Sequence, residues 1–472
     1  MSWGSVTWRT GWGSDRASKE GRNQLAQAGP GKAVVIGGGL AGLAAAARLA
    51  ESGWRVKVLE KEDTVGGRCG TARSGDFLFD TGAQHFHDSY DDTISTAIRA
   101  GLGDRFRIPQ EPKGIYHGGR LATFVPRVLD PLTLLPWDAL GAAGLLDVPS
   151  VGASLLAGYR GYNLRFPYWW KKGDERTASD FLARRTTARY RRAIAEPVAL
   201  YATGAGLGSI SASSFMVALR YTFGDRTGGF TGGMGSLAEA LAEKASVLAG
   251  MEATEVVREG RRATGVKATP AGGGRSRTYH ADAVICALPA PLVKKVTGKL
   301  GATAAEVVEK VRYAPAITVN MAFDESFEGP GGPVLLPGSE GFNVSWACTN
   351  ASKAAEYAPG GGTVVTAVFS DENAQALMGE SDSGLVDVAR EDCDRVYAAG
   401  TPKASLVDRW ERARPIPSPG HSARVRAIWA AGSGTGNLFL AGDWTMSPTI
   451  EGAVSSGLRA AEKVLASCAA SQ

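Results

Sequence analysis

Three glycines and two charged residues near the start of the chain are spaced for anion chemistry. Gly37, Gly39 and Gly42 fill the pattern G-x-G-x-x-G, Glu60 follows eighteen residues after Gly42, and Arg68 eight after that. In this pattern Gly37 allows a tight turn, Gly39 lets backbone approach a pyrophosphate, and Gly42 lets a helix pack close to a strand. A helix opening at Leu40 and Ala41 would offer the anion free N–H groups and the positive end of its dipole. A carboxylate at Glu60 can accept both hydroxyls of an adenosine ribose and disfavours a cofactor with a 2′-phosphate; Lys61, next to it, is counted with the same site. Gly66-Gly67-Arg68 is a second glycine turn whose arginine can neutralise the other charge of a pyrophosphate, with a plain β-turn as the competing reading. Taken alone, residues 32–61 suit NAD or FAD.

The flanking residues supply the elements such a site needs. Ala33-Val34-Val35-Ile36 is a short apolar run, expected to be a strand buried on both faces. Residues 40–49 are rich in alanine and leucine, good helix formers. Residues 55–59 read as the second strand, ending at the acid.

Two further places carry chemistry-bearing side chains. Residues 77–87 run from a strand into a glycine turn, with His85 and His87 two apart on one side. A metal pair is conceivable, but no third ligand follows at suitable spacing, so no metal is expected and the histidines are read as lining a ligand cavity. Near the end, residues 437–443 form a strand closing on Gly442-Asp443, where a carboxylate can bind a polyol hydroxyl. The helix beginning after Pro448 gives a second N-terminus for an anion or carbonyl oxygen. Trp444, directly after Asp443, is the preferred aromatic for the cavity wall, ahead of Trp346 and Trp410.

Composition narrows the class. The chain has 472 residues, 44% apolar and 21% charged, an ordinary globular balance with length for two or three domains. A net charge of +5 without a Lys/Arg block gives nucleic-acid binding little support. Five scattered cysteines without a C-x-x-C pair fit a reducing cytoplasm. No apolar run reaches the length of a membrane span. Residues 1–31, with three tryptophans among Gly, Ser and Arg, read as a disordered tail. The apolar, proline-punctuated residues 129–156 and the aromatic–lysine stretch 166–172 suit either an amphipathic wall around an apolar pocket or peripheral membrane contact.

The expected fold is α/β: a discontinuous Rossmann-like, FAD-binding domain with a parallel sheet and a β-meander, assembled from 32–90, 228–300 and 413–468. An α+β substrate-binding domain is expected from 91–227 and 301–412. Residues 177–192 read as one amphipathic helix. Residues 253–258 and 264–267 read as paired strands, 283–289 as a buried strand ending at a proline, 317–323 and 363–369 as strands, and 385–398 as a helix.

In this order the pieces resemble the superfamily of FAD-dependent amine oxidases, protoporphyrinogen oxidases and phytoene desaturases. The resemblance is carried by GGGLAGLAAAARLAESGWRVKVLEKEDTVGGRCGT, by FTGGMGSLAEALAEKA with EVV and AVICALP, and by AGDWTMSPTIEGAVSSGLRAAEKV. It implies a non-covalent FAD whose adenosine diphosphate half is bound by Gly37, Gly39, Gly42, Glu60 and Arg68, with Val256 meeting adenine through its backbone. It also implies Gly82, Ala83 and Gln84 by the flavin ring, Gly442 and Asp443 by the ribityl-pyrophosphate, and Thr449, Ile450 and Ala453 near the ring's pyrimidine edge.

Residues 179–215 resemble the protoporphyrinogen-oxidase-like branch, whereas the C-terminal segment is closer to carotenoid and squalene-type desaturases. Amine oxidases usually have an aromatic where Thr449 stands and a lysine in the strand that corresponds to 316–323, which has none. No cysteine lies in 410–436 for a covalent flavin link. The expected activity is hydride removal from a C–H of an apolar or polycyclic molecule to flavin N5, with His85 and Trp444 as catalytic candidates and oxygen or a quinone as acceptor. An amine or amide oxidase and a flavin-retaining partner protein without turnover are the alternatives.

Overall fold

The computed structural model describes residues 31–126, 147, 151, 153–154, 173–398 and 400–469. The expected tail, except for Gly31, most of 129–156 and the aromatic–lysine stretch 166–172 lie outside the described residues.

The strand Lys32–Ile36 sits at the centre of a five-stranded parallel sheet. Arg55–Leu59 and then Ser246–Leu248 flank it on one side, Ala283–Cys286 and then Leu438–Leu440 on the other. Its apolar run is explained by what covers it. Val34 and Ile36 face a core shared with Ala263, Val266 and Ala268 of an antiparallel three-stranded sheet, and Ala33 and Val35 face the opposite side. There the helices Leu40–Glu51 and Ile450–Ala469 lie side by side. A Cβ at Gly457 would stand 2.1 Å from the Ala41 carbonyl oxygen, so glycine is what lets the two helices approach. The expected α/β class, with its parallel sheet and meander, is the observed one.

A second, mostly antiparallel sheet of seven strands carries the other wall. Its longest inner strand is Tyr313–Phe323, between the edge strand Ala404–Pro415 and Thr363–Ser370, with the central strand Trp346–Thr349 next to the latter. Side chains alternate between faces along a strand. Ile317, Val319, Met321, Val365, Ala367 and Phe369 pack against Leu385, Ala389 and Cys393 of the helix Asp382–Tyr397. Ala316, Thr318, Val368, Trp346 and Trp410 line an internal cavity. Helices between 178 and 224 complete the enclosure, packing Phe215, Leu219 and Tyr201 against Trp346 and Val368.

The expected single helix over 177–192 is broken. Ala178–Ala183 ends, and a new helical turn starts at Thr187, whose Oγ1 accepts from the Tyr190 N–H at 3.2 Å while its own N–H donates to Asp147. Thr187 prefers capping to continuing a helix, because its hydroxyl competes for backbone groups.

A buried ion pair joins the two-stranded ribbon Thr71–Ser74 and Phe77–Asp80 to the seven-stranded sheet. Lys353 and Asp80 side chains are 2% and 0% exposed, with Nζ to Oδ2 at 2.9 Å. Nζ also donates to Gln84 Oε1, and the remaining Asp80 lone pairs accept from Tyr357 Oη, Thr71 Oγ1 and the Met234 N–H. Asn320, from the strand Tyr313–Phe323 of the seven-stranded sheet, donates to the Asp80 carbonyl at 3.1 Å. Removing one member of such a pair leaves an uncompensated buried charge, which costs about 3–5 kcal/mol. Lys353→Met is therefore expected to lower stability by about that amount in urea denaturation. Lys403→Met, at an exposed pair with Asp324, should change it by about 1 kcal/mol or less. Equal effects would contradict the hub.

Candidate active site

The C-terminal ends of the parallel strands open into a cavity of about 1660 Å³ that runs on to the face of the seven-stranded sheet. Sites for one drug-sized ligand are about 300–1,000 Å³, so this space is large enough for a dinucleotide and a second molecule together.

At its inner end the glycine pattern has distinct roles. Gly37 has φ +103°, a left-handed conformation that side chains disfavour. A Cβ at Gly42 would stand 2.0 Å from the Gly37 carbonyl oxygen, so glycine is needed for helix–strand packing. Gly39 differs: a Cβ there would meet only the Gly66 carbonyl oxygen at 3.9 Å. Protein packing leaves room at Gly39, and the room is part of the cavity. The helix Leu40–Glu51 has no side-chain cap at its start, so the N–H groups around Gly39, Leu40 and Ala41 are turned to the cavity without a competing oxygen. Glu60 is held at the end of its strand by the N–H groups of Gly38 at 2.6 Å and Glu62 at 2.9 Å. These residues fit a dinucleotide: an open backbone cradle, an uncapped helix start and an oriented carboxylate.

Of the expected cofactor residues, Gly37, Gly39, Leu40, Ala41, Glu60, Lys61, Gly67, Arg68, Gly82, Ala83, Gln84, Gly442, Asp443, Thr449, Ile450 and Ala453 all line the cavity. Gly42 acts from behind, through packing. Val256 does not line it: its side chain lies in the core, and Glu252 and Ala253 of the same strand border the cavity instead. A bulge between Ala253 and Glu255 shifts the strand's register. Arg68 and Asp443 pair with one another, Nη1 to Oδ2 at 2.8 Å and Nη2 to Oδ1 at 3.0 Å, a bidentate contact. Arg68 also donates to the Ala413 carbonyl. Its charge is thus already matched, so the sequence-based role of neutralising a pyrophosphate would have to be shared with Asp443.

Of the two catalytic candidates, His85 lines the cavity and Trp444 does not. The turn after Asp443 folds the Trp444 indole back into the core, where it is fully buried and Nε1 donates to the Leu288 carbonyl at 3.1 Å. His85 Nε2 is 2.8 Å from Tyr201 Oη, and its ring lies edge-on to Trp346 at 5.6 Å. Burial, then Lys113, Lys353 and Arg414, holds its pKa well below 6.5, so the ring is neutral at pH 7. His87 is held low by burial and Lys113, and its Nδ1 lies 3.9 Å from Asp225 Oδ2. Among the described residues no third ligand joins the two histidines in a metal-holding group. Tyr201, Tyr90 and Arg414 also line the cavity. No local pattern singled them out, because their neighbours in space are distant in sequence.

The chain belongs to the flavin-containing amine oxidoreductase family, whose model matches residues 40–465. The family is one of flavin-containing oxidoreductases. Carotenoid phi-ring synthase of Streptomyces griseus is 30% identical over 193 residues, covering 36% of this chain and 37% of that enzyme. The chain thus matches little more than a third of that relative's length. A protein from Exiguobacterium sp. 255-15, provisionally assigned as a protoporphyrinogen oxidase, superposes with a TM-score of 0.71 at 19% identity over 93% of this chain and 99% of that one. Cyclohexylamine oxidase from Brevibacterium oxydans IH-35A gives 0.70 at 17% identity, with the same coverage. At these identities the structural likenesses establish the fold.

Glu451, between Ile450 and Gly452, points away from the cavity and ties the C-terminal helix to the helix Asp91–Arg99. Its carboxylate accepts from the N–H groups of Asp92 and Thr93, both at 2.9 Å, and from Thr93 Oγ1. Burial, then the Asp92 charge, raises its pKa from 4.5 to about 7. An acid raised on folding gives stability that is fully present below pH 4.5 and is lost as pH rises through about 7. Urea midpoints should therefore fall between about pH 5 and pH 8, and Glu451→Gln should flatten that fall. An equal fall in both proteins would contradict the assignment.

Proposed function

We propose that the chain binds FAD non-covalently and removes a hydride from a C–H of an apolar or polycyclic small molecule. The observation that carries this reading is the continuity of the cavity, from the glycine crevice and Glu60 to the wall of Trp346, Tyr201, Val217 and Val368. Gly37, Gly39, Leu40, Ala41, Glu60 and Gly67 would hold the adenosine diphosphate half, and the Arg68–Asp443 pair the region between the halves. Gly82, Ala83, Gln84, Thr449, Ile450 and Ala453 would border the ring. A bound flavin supplies the hydride acceptor.

The chain's own residues then have limited tasks. Trp346, Val368 and Val217 keep water from the reacting carbon and press the substrate into reach. His85, kept neutral and joined to Tyr201 Oη, would border the substrate as an uncharged hydrogen-bonding group in the apolar wall. Thr449 Oγ1 accepts from the Gly452 N–H at 3.0 Å, which fixes the start of the C-terminal helix against the cavity. The electron acceptor in this reading is oxygen or a quinone. Among the described residues no helix is long and apolar enough to cross a membrane. Four of the five unpaired cysteines are buried, which supports a reducing, cytoplasmic setting; a peripheral membrane contact would be carried by the stretches 129–156 and 166–172.

An amine substrate is the second reading, favoured by the aromatic group of His85, Tyr201 and Trp346, whose ring centroids lie 5.2–5.8 Å apart. Anaerobic mixing with isoprenoid, porphyrinogen and amine panels separates the two. Bleaching of the flavin by a polycyclic or isoprenoid compound is expected. Bleaching by amines alone would establish the second reading, and bleaching by none would overturn both.

A further inference from the structure

The aromatic half of the cavity contains a cation that, among the described residues, makes no ion pair. Arg414, on the strand Ala404–Pro415, lines the cavity beside Tyr201. Its hydrogen bond is Nη1 to the Tyr201 carbonyl oxygen at 2.8 Å. A guanidinium has five N–H donors, so most of its capacity is unused. Among the described residues no carboxylate comes within ion-pair distance of it.

The neighbouring cations are satisfied. Arg68 has Asp443, and Lys353 has Asp80. Lys113 donates to the Thr222 carbonyl at 2.8 Å, with the Asp225 and Asp88 charges acting on it. Asp443 also acts on Arg414, but its two oxygens are engaged by Arg68. Arg414 therefore leaves about one uncompensated positive charge in a wall that is otherwise aromatic and aliphatic. A charge held away from bulk water is costly unless it is paired and hydrogen-bonded.

We propose that Arg414 anchors a carboxylate of the substrate, so that the molecule oxidised is an amphipathic acid. Its apolar body lies against Trp346, Val368 and Val217, and its carboxylate meets the free side of the guanidinium. This rests on the reading of the cavity's aromatic half as the substrate site. The planar fork of arginine suits a carboxylate in a bidentate contact. A single unmatched charge favours a monoanion over a phosphate dianion. Arg414 is bonded to the helix Glu196–Thr203, whose Tyr201 hydroxyl meets His85, which puts it on the aromatic side of the cavity. The Arg68–Asp443 pair borders it through the Ala413 carbonyl, and the uncapped helix start lies beyond, on the glycine crevice.

The test uses the full-length, flavin-loaded protein and two probes of the same shape, 2-naphthoate and 2-naphthamide, titrated by calorimetry and by the flavin difference spectrum. Wild type should bind the acid about tenfold or more tighter than the amide. Arg414→Gln should reduce that preference to about twofold or less, Arg414→Lys should keep part of it, and both variants should retain the flavin content of wild type. Equal affinity for acid and amide, binding of neither, or a preference that survives Arg414→Gln would overturn the proposal. Flavin loss confined to the Arg414 variants would also overturn it, by giving the arginine to the cofactor. A wild type that holds no flavin would sink the functional reading instead, and the calorimetric preference would still decide the role of Arg414.

Discussion

The Gly37 carbonyl oxygen stands where a side chain at position 42 would have to be, 2.0 Å from the Cβ that Gly42 lacks. That contact lets the helix Leu40–Glu51 start immediately above the end of the central strand, with its N–H groups over the crevice. The rest of the molecule is arranged around this edge. The chain leaves it after Glu60 and returns at Ser246–Leu248, at Ala283–Cys286 and at Leu438–Leu440, each time adding a parallel strand next to what is already there. Each return is followed by a new piece of wall: Glu252 and Ala253 after the first, Ala287 and Leu288 after the second, and Gly442, Asp443, Thr449, Ile450 and Ala453 after the third.

A second constraint joins this crevice to the substrate face. Asp80 and Lys353 are far apart in the sequence, and their pair sits beneath the turn that carries Gly82, Ala83 and Gln84. Gln84 spans the junction, donating to the carbonyls of Asp80 and Gly82 while accepting from Lys353. The turn is therefore fixed from both sides, by the glycine crevice through Ala83 N–H to the Arg68 carbonyl at 2.9 Å and by the seven-stranded sheet through Asn320. A turn held from two sides suits the proposed reaction, in which the reacting atoms would have to be closely positioned.

The sequence made some of this readable and hid the rest for physical reasons. Residues 32–61 were legible because turn, helix start and strand end are local and depend on residue types at fixed spacing. Val256 lies off the cavity lining because one bulge at Ala253–Glu255 shifts the strand's register, and a bulge leaves little trace in composition. Trp444 packs into the core; adjacency to Gly442-Asp443 says nothing about where a turn sends an indole. The group of His85, Tyr201, Trp346 and Arg414 comes from four separate segments, so only the packed fold shows it. Thr187 hid a helix break, since a threonine can cap or continue a helix and Asp147 decides which.

The central claim is that the crevice at Gly39 and the aromatic face at Trp346 are two ends of one site, spanned by a single non-covalent FAD. The direct measurement is the cofactor released when purified protein is heat-denatured, identified and quantified by chromatography. About one FAD per chain in the supernatant is predicted. Protein without flavin, FMN in place of FAD, or flavin retained on the denatured chain would contradict the account.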